Sequence, residues 1–224
     1  MGNPQNFSLD IPRRCQMLIE ELWPKVSKKP EGDTLPLNAS FLLAISTPMI
    51  NLPIERIWKP QMNRAVGHLN DAVLDAHLAA AIRKGIGSNA VANAGFYCPD
   101  AWRYHYLPKG ASLPDLSQHG LPQSVEAALG VEAASKTAGE LGTEMFCNIL
   151  RNGLAHGGVI YLDTDGRTTH GAPVQMFCFV STKWTRGSGV EGLHFLRVGM
   201  KDYRRFLQRW TNWLLSEATQ IAAK

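Results

Sequence analysis

The segment Arg151-Asn152-Gly153-Leu154-Ala155-His156 places three groups that can act on an anion at the end of one predicted helix. The residues before it show helical apolar spacing, and Gly157 and Gly158 are of the type that ends helices. Histidine has an ordinary pKa of about 6.5, which suits proton transfer near neutral pH. Arginine holds phosphate by a forked, charge-assisted contact, and an asparagine amide can orient either group. The pattern indicates acid–base chemistry on a phosphate.

A polar stripe runs along this otherwise apolar helix at one residue per turn and consists of Glu144, Asn148, Asn152 and His156. Polar groups on a buried helix cost free energy unless they are paired or used. The simplest alternative is that Arg151 and His156 only cap the helix, because the helix dipole favours positive charge in a last turn. Gly153, on the side away from Glu144, is expected to let another helix approach closely.

The segment from Leu150 to Gly157 resembles the RNxxxH motif of the HEPN superfamily, an all-helical group of RNases and nucleotide-binding proteins. In that superfamily the Arg-x4-His motif ends a long helix, asparagine usually follows the arginine, and glycine often follows the histidine. All of these details are present here. The helical context extends the resemblance to most of the chain, and it implies a HEPN-like helical bundle.

The resemblance implies metal-independent endoribonuclease activity, in which the RNA 2′-hydroxyl attacks the adjacent phosphate. Arg151, Asn152 and His156 are then the catalytic residues: His156 moves a proton, Arg151 holds the phosphate, and Asn152 orients one of them. One chain supplies one motif histidine, and the resemblance implies a homodimer with a composite active site. It also implies a bacterial toxin or anti-phage defence effector, with RNA as partner and an antitoxin or regulatory protein as a further candidate partner.

One departure from the superfamily concerns regulation. In HEPN toxins paired with a minimal nucleotidyltransferase, a tyrosine two residues after the motif histidine is the target of neutralising adenylylation. Gly158 stands at that position here and the first tyrosine is Tyr161, which argues against this route. Two alternatives to the nuclease stay open: a non-catalytic HEPN module that binds nucleotides or RNA or scaffolds a partner, and a purely structural motif.

The overall composition indicates an ordinary globular protein, predicted as a single domain over residues 1–224. The chain has 224 residues, 45% of them hydrophobic, and a net charge of +4. Its four cysteines lack CxxC spacing, its start lacks a signal-peptide pattern, and its longest apolar run is too short to span a bilayer. We therefore predict a cytoplasmic protein with no membrane partner. Because histidine pairs at metal-ligand spacing and glycine-rich phosphate loops are missing from the sequence, no metal and no cofactor are expected.

The predicted fold is mostly α, with a small antiparallel β-sheet inserted at 159–198 between the motif helix and the C-terminal helix. Three runs rich in β-branched and aromatic residues are the strand candidates: Val159–Leu162, Val174–Val180 and Leu193–Val198. Residues 183–192, rich in glycine and basic side chains, are predicted to form a loop. The motif helix is expected to start near Glu132 to Lys136.

Residues 95–123 contain prolines at 99, 108, 114 and 122, and are predicted to form a long connecting loop. Aromatic and basic side chains alternate within this segment. Aromatic rings can stack single-stranded bases while basic groups hold phosphates, so the candidate RNA-binding residues are Arg103, Tyr104, Tyr106 and Lys109. The alternative is that Trp102 and the tyrosines pin this segment onto the helices.

Overall fold

The structure is a computed structural model that describes residues 5–28, 35–62, 69–87, 90–110, 112–185, 187 and 189–219. The α-helices in these ranges are α1 (Phe7–Val26), α2 (Asn38–Pro53), α3 (Lys59–Gln61), α4 (Ala76–Ile86), α5 (Leu116–His119), α6 (Gln123–Gly130), α7 (Ala133–Glu140), α8 (Thr143–His156) and α9 (Met200–Thr219). A π-helical turn, Ile54–Trp58, joins α2 to α3, and short 3-10 helices span Asp71–Val73 and Val91–Asn93. None of the helices in these ranges combines the length and the apolar character that crossing a membrane requires.

The strands of the described residues are β1 (Trp102–Pro108), β2 (Val159–Leu162), β3 (Met176–Thr185) and β4 (Gly189–Gly199). They form one antiparallel sheet in the order β1-β4-β3-β2. The expected fold, mostly helical with a small antiparallel sheet between the motif helix and the C-terminal helix, is confirmed. The sheet also takes a strand from outside that interval, because β1 pairs with β4.

Both faces of the sheet are buried, and side-chain alternation along the strands divides the core in two. On one face, Trp102 of β1 packs edge-on against Phe146 of α8 and Phe206 of α9, with ring centroids 4.9 and 5.1 Å apart. These rings belong to the large core, which α1, α2, α4, α8 and α9 share. On the other face, Phe195 of β4 packs with Val125 of α6 in a smaller core. The sheet thus connects the helical body to α6.

The prediction of a long connecting loop at 95–123 is wrong, because this segment contributes β1, α5 and the start of α6. β1 pairs with β4 from Trp102↔Val198 to Pro108↔Gly192. Trp102 is fully buried and does pin the segment onto the helices, as the alternative proposed. The partner strand lies about ninety residues later in the sequence. The prolines of this segment therefore suggested a loop, because the pairing with a distant strand that forms β1 is not visible in the local composition.

The loop predicted at 183–192 is also wrong, because β3 continues to Thr185 and β4 begins at Gly189. The two strands form a hairpin whose register shifts between Lys183 and Trp184, where Glu191 is the extra residue on β4. Gly187 and Gly189, at the end of the hairpin, have φ angles of 94° and 75°, a region that glycine adopts readily. The glycines thus mark the turn alone, and the strands extend on both sides of it.

Candidate active site

The motif helix α8 is shorter than predicted, because it begins at Thr143 and not near Glu132 to Lys136. Leu141 and Gly142 have ψ angles of 139° and 136°, which are extended values that interrupt the helical path between α7 and α8. The C-terminal end lies where the glycines predicted it. Gly157 has a φ of 69° and a left-handed conformation that closes the helix.

The side chain of Asn152 links α8 to β3 and to the neighbouring arginine. Its Nδ2 donates to Ser181 Oγ at 2.9 Å, and its Oδ1 accepts from Arg151 Nη1 at 2.7 Å. A guanidinium can only donate, so the amide oxygen must face Arg151 and the amide nitrogen must face the buried Ser181. These two contacts hold the amide in one orientation.

Arg151 is held from its other side by Glu55 in the π-helical turn, since Arg151 Nε donates to Glu55 Oε1. Lys59 Nζ lies 2.7 Å from the same carboxylate oxygen. Two cations share one carboxylate, so this group of three side chains has a net charge of +1 − 1 + 1 = +1. The side chains are 19% to 34% exposed, and water screens their attraction only in part. The excess positive charge suits a phosphate.

Asn152 and His156 line one open cavity of about 560 Å³ at the C-terminal end of α8. Ser181 and Thr182 of β3 form the opposite wall, and Leu116 of α5 also lines it. His156 is exposed, whereas the partly buried Arg151 reaches the cavity wall through its bond to Asn152. The structure therefore places Asn152 and His156 on one cavity, and Arg151 next to it through Asn152, while their catalytic roles stay a prediction.

The four candidate RNA-binding residues lie on β1 or directly after it, and three of them use their polar atoms inside the fold. Arg103 Nη1 donates to a carbonyl just beyond α6 at 2.6 Å, and Tyr106 Oη donates to a β4 carbonyl at 3.0 Å. Tyr104 Oη lies 2.8 Å from His194 Nδ1, and burial raises the pKa of Tyr104 to about 12. Lys109 is exposed. RNA binding by these residues stays a prediction, and their contacts show a role in joining β1 to its neighbours.

Two glycines allow α8 to end close against β3. A Cβ on Gly153 would lie 3.2 Å from the Cβ of Phe179, so Gly153 faces β3 and the expectation that it admits another helix is wrong. A Cβ on Gly158 would lie 2.5 Å from the Val180 carbonyl oxygen. The Gly158 carbonyl also accepts a hydrogen bond from Val180 N at 2.7 Å, which ties the two backbones together. This close approach explains why residue 158 carries no side chain.

Gly158→Ala is expected to lower the free energy of unfolding by about 1–3 kcal/mol, because the new methyl group must displace the Val180 carbonyl, which lies on a strand that is itself bonded to Gly158 through Val180 N. Urea denaturation measures the change. Gly110→Ala is the matched control, since a Cβ there meets nothing within 4 Å, and its effect should stay within about 0.5 kcal/mol. Equal stability of the two variants would contradict the close packing of the α8–β2 turn on β3.

Sequence reasoning missed Glu55 and Ser181, which contact the motif, and Lys59, which contacts Glu55. The spacing of Glu55 and Lys59, four apart on a helix, is a visible ion-pair signal. That signal does not point to Arg151, which follows Glu55 by 96 residues. Ser181 gave no signal at all, because a serine within a strand is common and its partner Asn152 lies on another element.

Comparison with known protein families relates this chain to one of them. The sequence matches the family described as HEPN pEK499 p136 over residues 1–220. Comparison with curated proteins returned no match, and comparison with solved structures returned none either. The match spans nearly the whole chain, and the helical fold agrees with it. The chain belongs to the HEPN pEK499 p136 family, and with it to the HEPN superfamily that the motif predicted.

Proposed function

We propose that this protein is a metal-independent endoribonuclease that acts in the cytoplasm as a toxin or anti-phage defence effector. The observation that supports it best is the cavity at the end of α8, which Asn152 and His156 line and which Arg151 joins through Asn152. Membership of a HEPN family supports the same activity. Four free, buried cysteines fit a reducing compartment. An antitoxin or other regulatory protein is the proposed restraint on a toxin of this kind.

The chemistry requires proton transfer and positive charge, because the RNA supplies its own nucleophile. A base takes the 2′-hydroxyl proton, the 2′-oxygen forms a bond to phosphorus, and the 5′-oxygen leaves with a proton from an acid. We assign proton transfer to His156, which is exposed to the cavity. We assign the phosphate charge to Arg151, whose guanidinium has more N–H groups than its bonds to Glu55 and Asn152 use. Asn152 orients the phosphate or the imidazole.

The need for both a base and an acid supports a homodimer. Each chain supplies one motif histidine, so we propose that the α8 helices of two copies face each other and that both His156 side chains open into one groove. Met145 is 40% exposed on α8, and Ala155 is exposed on the same helix, so part of the helix surface is open to a second copy. Sedimentation equilibrium tests this: a single-chain mass at concentrations where the protein cleaves RNA would exclude a composite site.

Incubation of the purified protein with end-labelled RNA in EDTA tests the nuclease proposal. The expected products are fragments that end in a 2′,3′-cyclic phosphate, formed at a rate that the chelator does not change. A requirement for added divalent metal, or products with a 5′-terminal phosphate, would exclude attack by the 2′-hydroxyl.

Arg151→Lys is expected to lower the rate of cleavage about 10- to 100-fold, because the single lysine nitrogen lacks the planar fork by which Arg151 bonds Glu55 through Nε and Asn152 through Nη1 while other N–H groups remain for the phosphate. Initial rates on one labelled RNA measure the effect. Arg13→Lys is the matched control, since Arg13 is 54% exposed on α1 and its nearest carboxylate is 3.8 Å away. If Arg151→Lys cleaves as fast as the wild type, the forked contact has no part in the reaction.

A non-catalytic HEPN module that binds nucleotides or RNA, or scaffolds a partner, is the second candidate. The ion pair between Arg151 and Glu55 favours it, because an arginine that already has an acidic partner is partly satisfied without substrate. Binding of RNA or nucleotides with no cleavage across varied RNA sequences is the result that supports this candidate over the nuclease.

A further inference from the structure

A row of side chains on β3 leads out of the cavity to the tip of the β3–β4 hairpin. Val180 and Thr182 line the cavity, and strand alternation places Trp184 next on the same face. The extra residue at the register shift, Glu191, belongs to β4, so the alternation along β3 continues through Trp184. The indole of Trp184 therefore follows directly after the cavity wall.

Trp184 is 62% exposed, unlike the core tryptophans Trp102 and Trp210, which are at most 1% exposed. Its strand is nevertheless anchored. Lys183 Nζ lies 3.0 Å from Glu191 Oε2 and 5.4 Å from the ring centroid of Tyr106, which ties the hairpin to β1. The indole of Trp184 is thus a large aromatic surface that is open to solvent, on a strand that is anchored to its neighbours.

We propose that Trp184 stacks against a base of a single-stranded RNA whose phosphate lies at Asn152 and His156. This inference rests on the proposed function, because it concerns the RNA bound at that site. Trp184 lies two residues after Thr182 of the cavity wall, a rise of about 7 Å, which is about one nucleotide along an extended strand. Only an unpaired, unstacked base offers its face to an aromatic side chain, so the proposed ligand is single-stranded.

Fluorescence anisotropy with short 2′-O-methyl oligonucleotides measures the binding without cleavage, because these oligonucleotides lack the nucleophile. Trp184→Ala is expected to weaken binding of the single strand about 5- to 100-fold, and Trp184→Phe to retain most of the affinity, since stacking needs a ring. Met17→Ala is the control, because Met17 is also an exposed apolar residue, at 61%, but lies on α1. It should bind like the wild type.

An abasic scan identifies the stacked base. At one position of the oligonucleotide, removing the base should weaken binding by the wild type. The same change should not alter binding by Trp184→Ala, because that variant has already lost the stacking interaction. A duplex of the same sequence should bind the wild type and Trp184→Ala equally. Unchanged binding of the single strand by Trp184→Ala overturns the inference. Loss of binding together with dissociation of a dimer in sedimentation also overturns it, since Trp184 would then contact a second copy of the chain.

The outcomes for this inference and for the nuclease proposal are separable. If Trp184→Ala loses affinity for the single strand while the wild type cleaves no RNA, stacking stands and catalysis fails. If the wild type cleaves RNA in EDTA while Trp184→Ala binds and cleaves normally, catalysis stands and stacking fails. In an active enzyme Trp184→Ala should raise KM and leave kcat nearly unchanged, as loss of uniform binding does.

Discussion

His156→Ala is expected to reduce RNA cleavage about 100- to 10,000-fold, because it removes the group assigned to proton transfer. The fold should be unaffected, since the imidazole is exposed and contributes to neither core. Cleavage of labelled RNA in EDTA and thermal unfolding of the same preparation measure the two effects. Catalysis and capping make different predictions here: a cap alone would lower stability by less than about 1 kcal/mol and leave cleavage unchanged.

The matched control for this variant is His170→Ala, because His170 is also an exposed histidine but lies in the segment between β2 and β3. It should cleave RNA like the wild type. A mock purification measures the cleavage that is due to contaminating nucleases. If His156→Ala cleaves RNA at the wild-type rate after this background is subtracted, His156 has no role in catalysis. Equal loss in both histidine variants would indicate damage that is not specific to the motif.

Asp71→Ala is expected to produce the largest loss of stability, about 3–5 kcal/mol, because it breaks a buried ion pair and leaves the cation without a partner. The carboxylate accepts from Arg56 Nη2 at 2.7 Å, from Ser8 Oγ at 2.7 Å and from Ser8 N at 3.1 Å. The side chains of Asp71 and Arg56 are 3% and 17% exposed. These bonds connect α1 to the π-helical turn, and the same turn carries Glu55, the partner of Arg151.

Urea denaturation at neutral pH measures the loss, and two further variants interpret it. Asp165→Ala is the control, since Asp165 is exposed in the turn after β2, and its effect should stay within about 0.5 kcal/mol. Asp71→Asn keeps the shape and one acceptor but removes the charge, so its stability should fall between that of the wild type and that of Asp71→Ala. A loss below about 1 kcal/mol for Asp71→Ala would show that the cluster does not hold the π-helical turn.

The cavity depends on contacts that the motif alone does not reveal. The Arg-x4-His spacing predicted one end of a helix correctly, with Gly157 as its terminator. The same reasoning assigned Gly153 to contact with a second helix, whereas its space is filled by Phe179 of β3. After Gly157 the chain reverses into β2, and β3, which pairs with β2, packs against α8. The residue pattern of the motif helix alone does not predict the direction in which the chain turns back.

The sequence by itself determined the helical class, the approximate positions of three strands, and the placement of Arg151, Asn152 and His156 near the end of one helix. These follow from periodicity, residue type and spacing within a few turns of chain. Only the tertiary structure decided which partners those residues have. Glu55 reaches Arg151 across 96 residues and Ser181 reaches Asn152 across 29. β1 joins the sheet for the same reason, by pairing with a strand about ninety residues away. Such contacts depend on how distant elements pack against each other in space. The residues near each position in the sequence do not determine that packing.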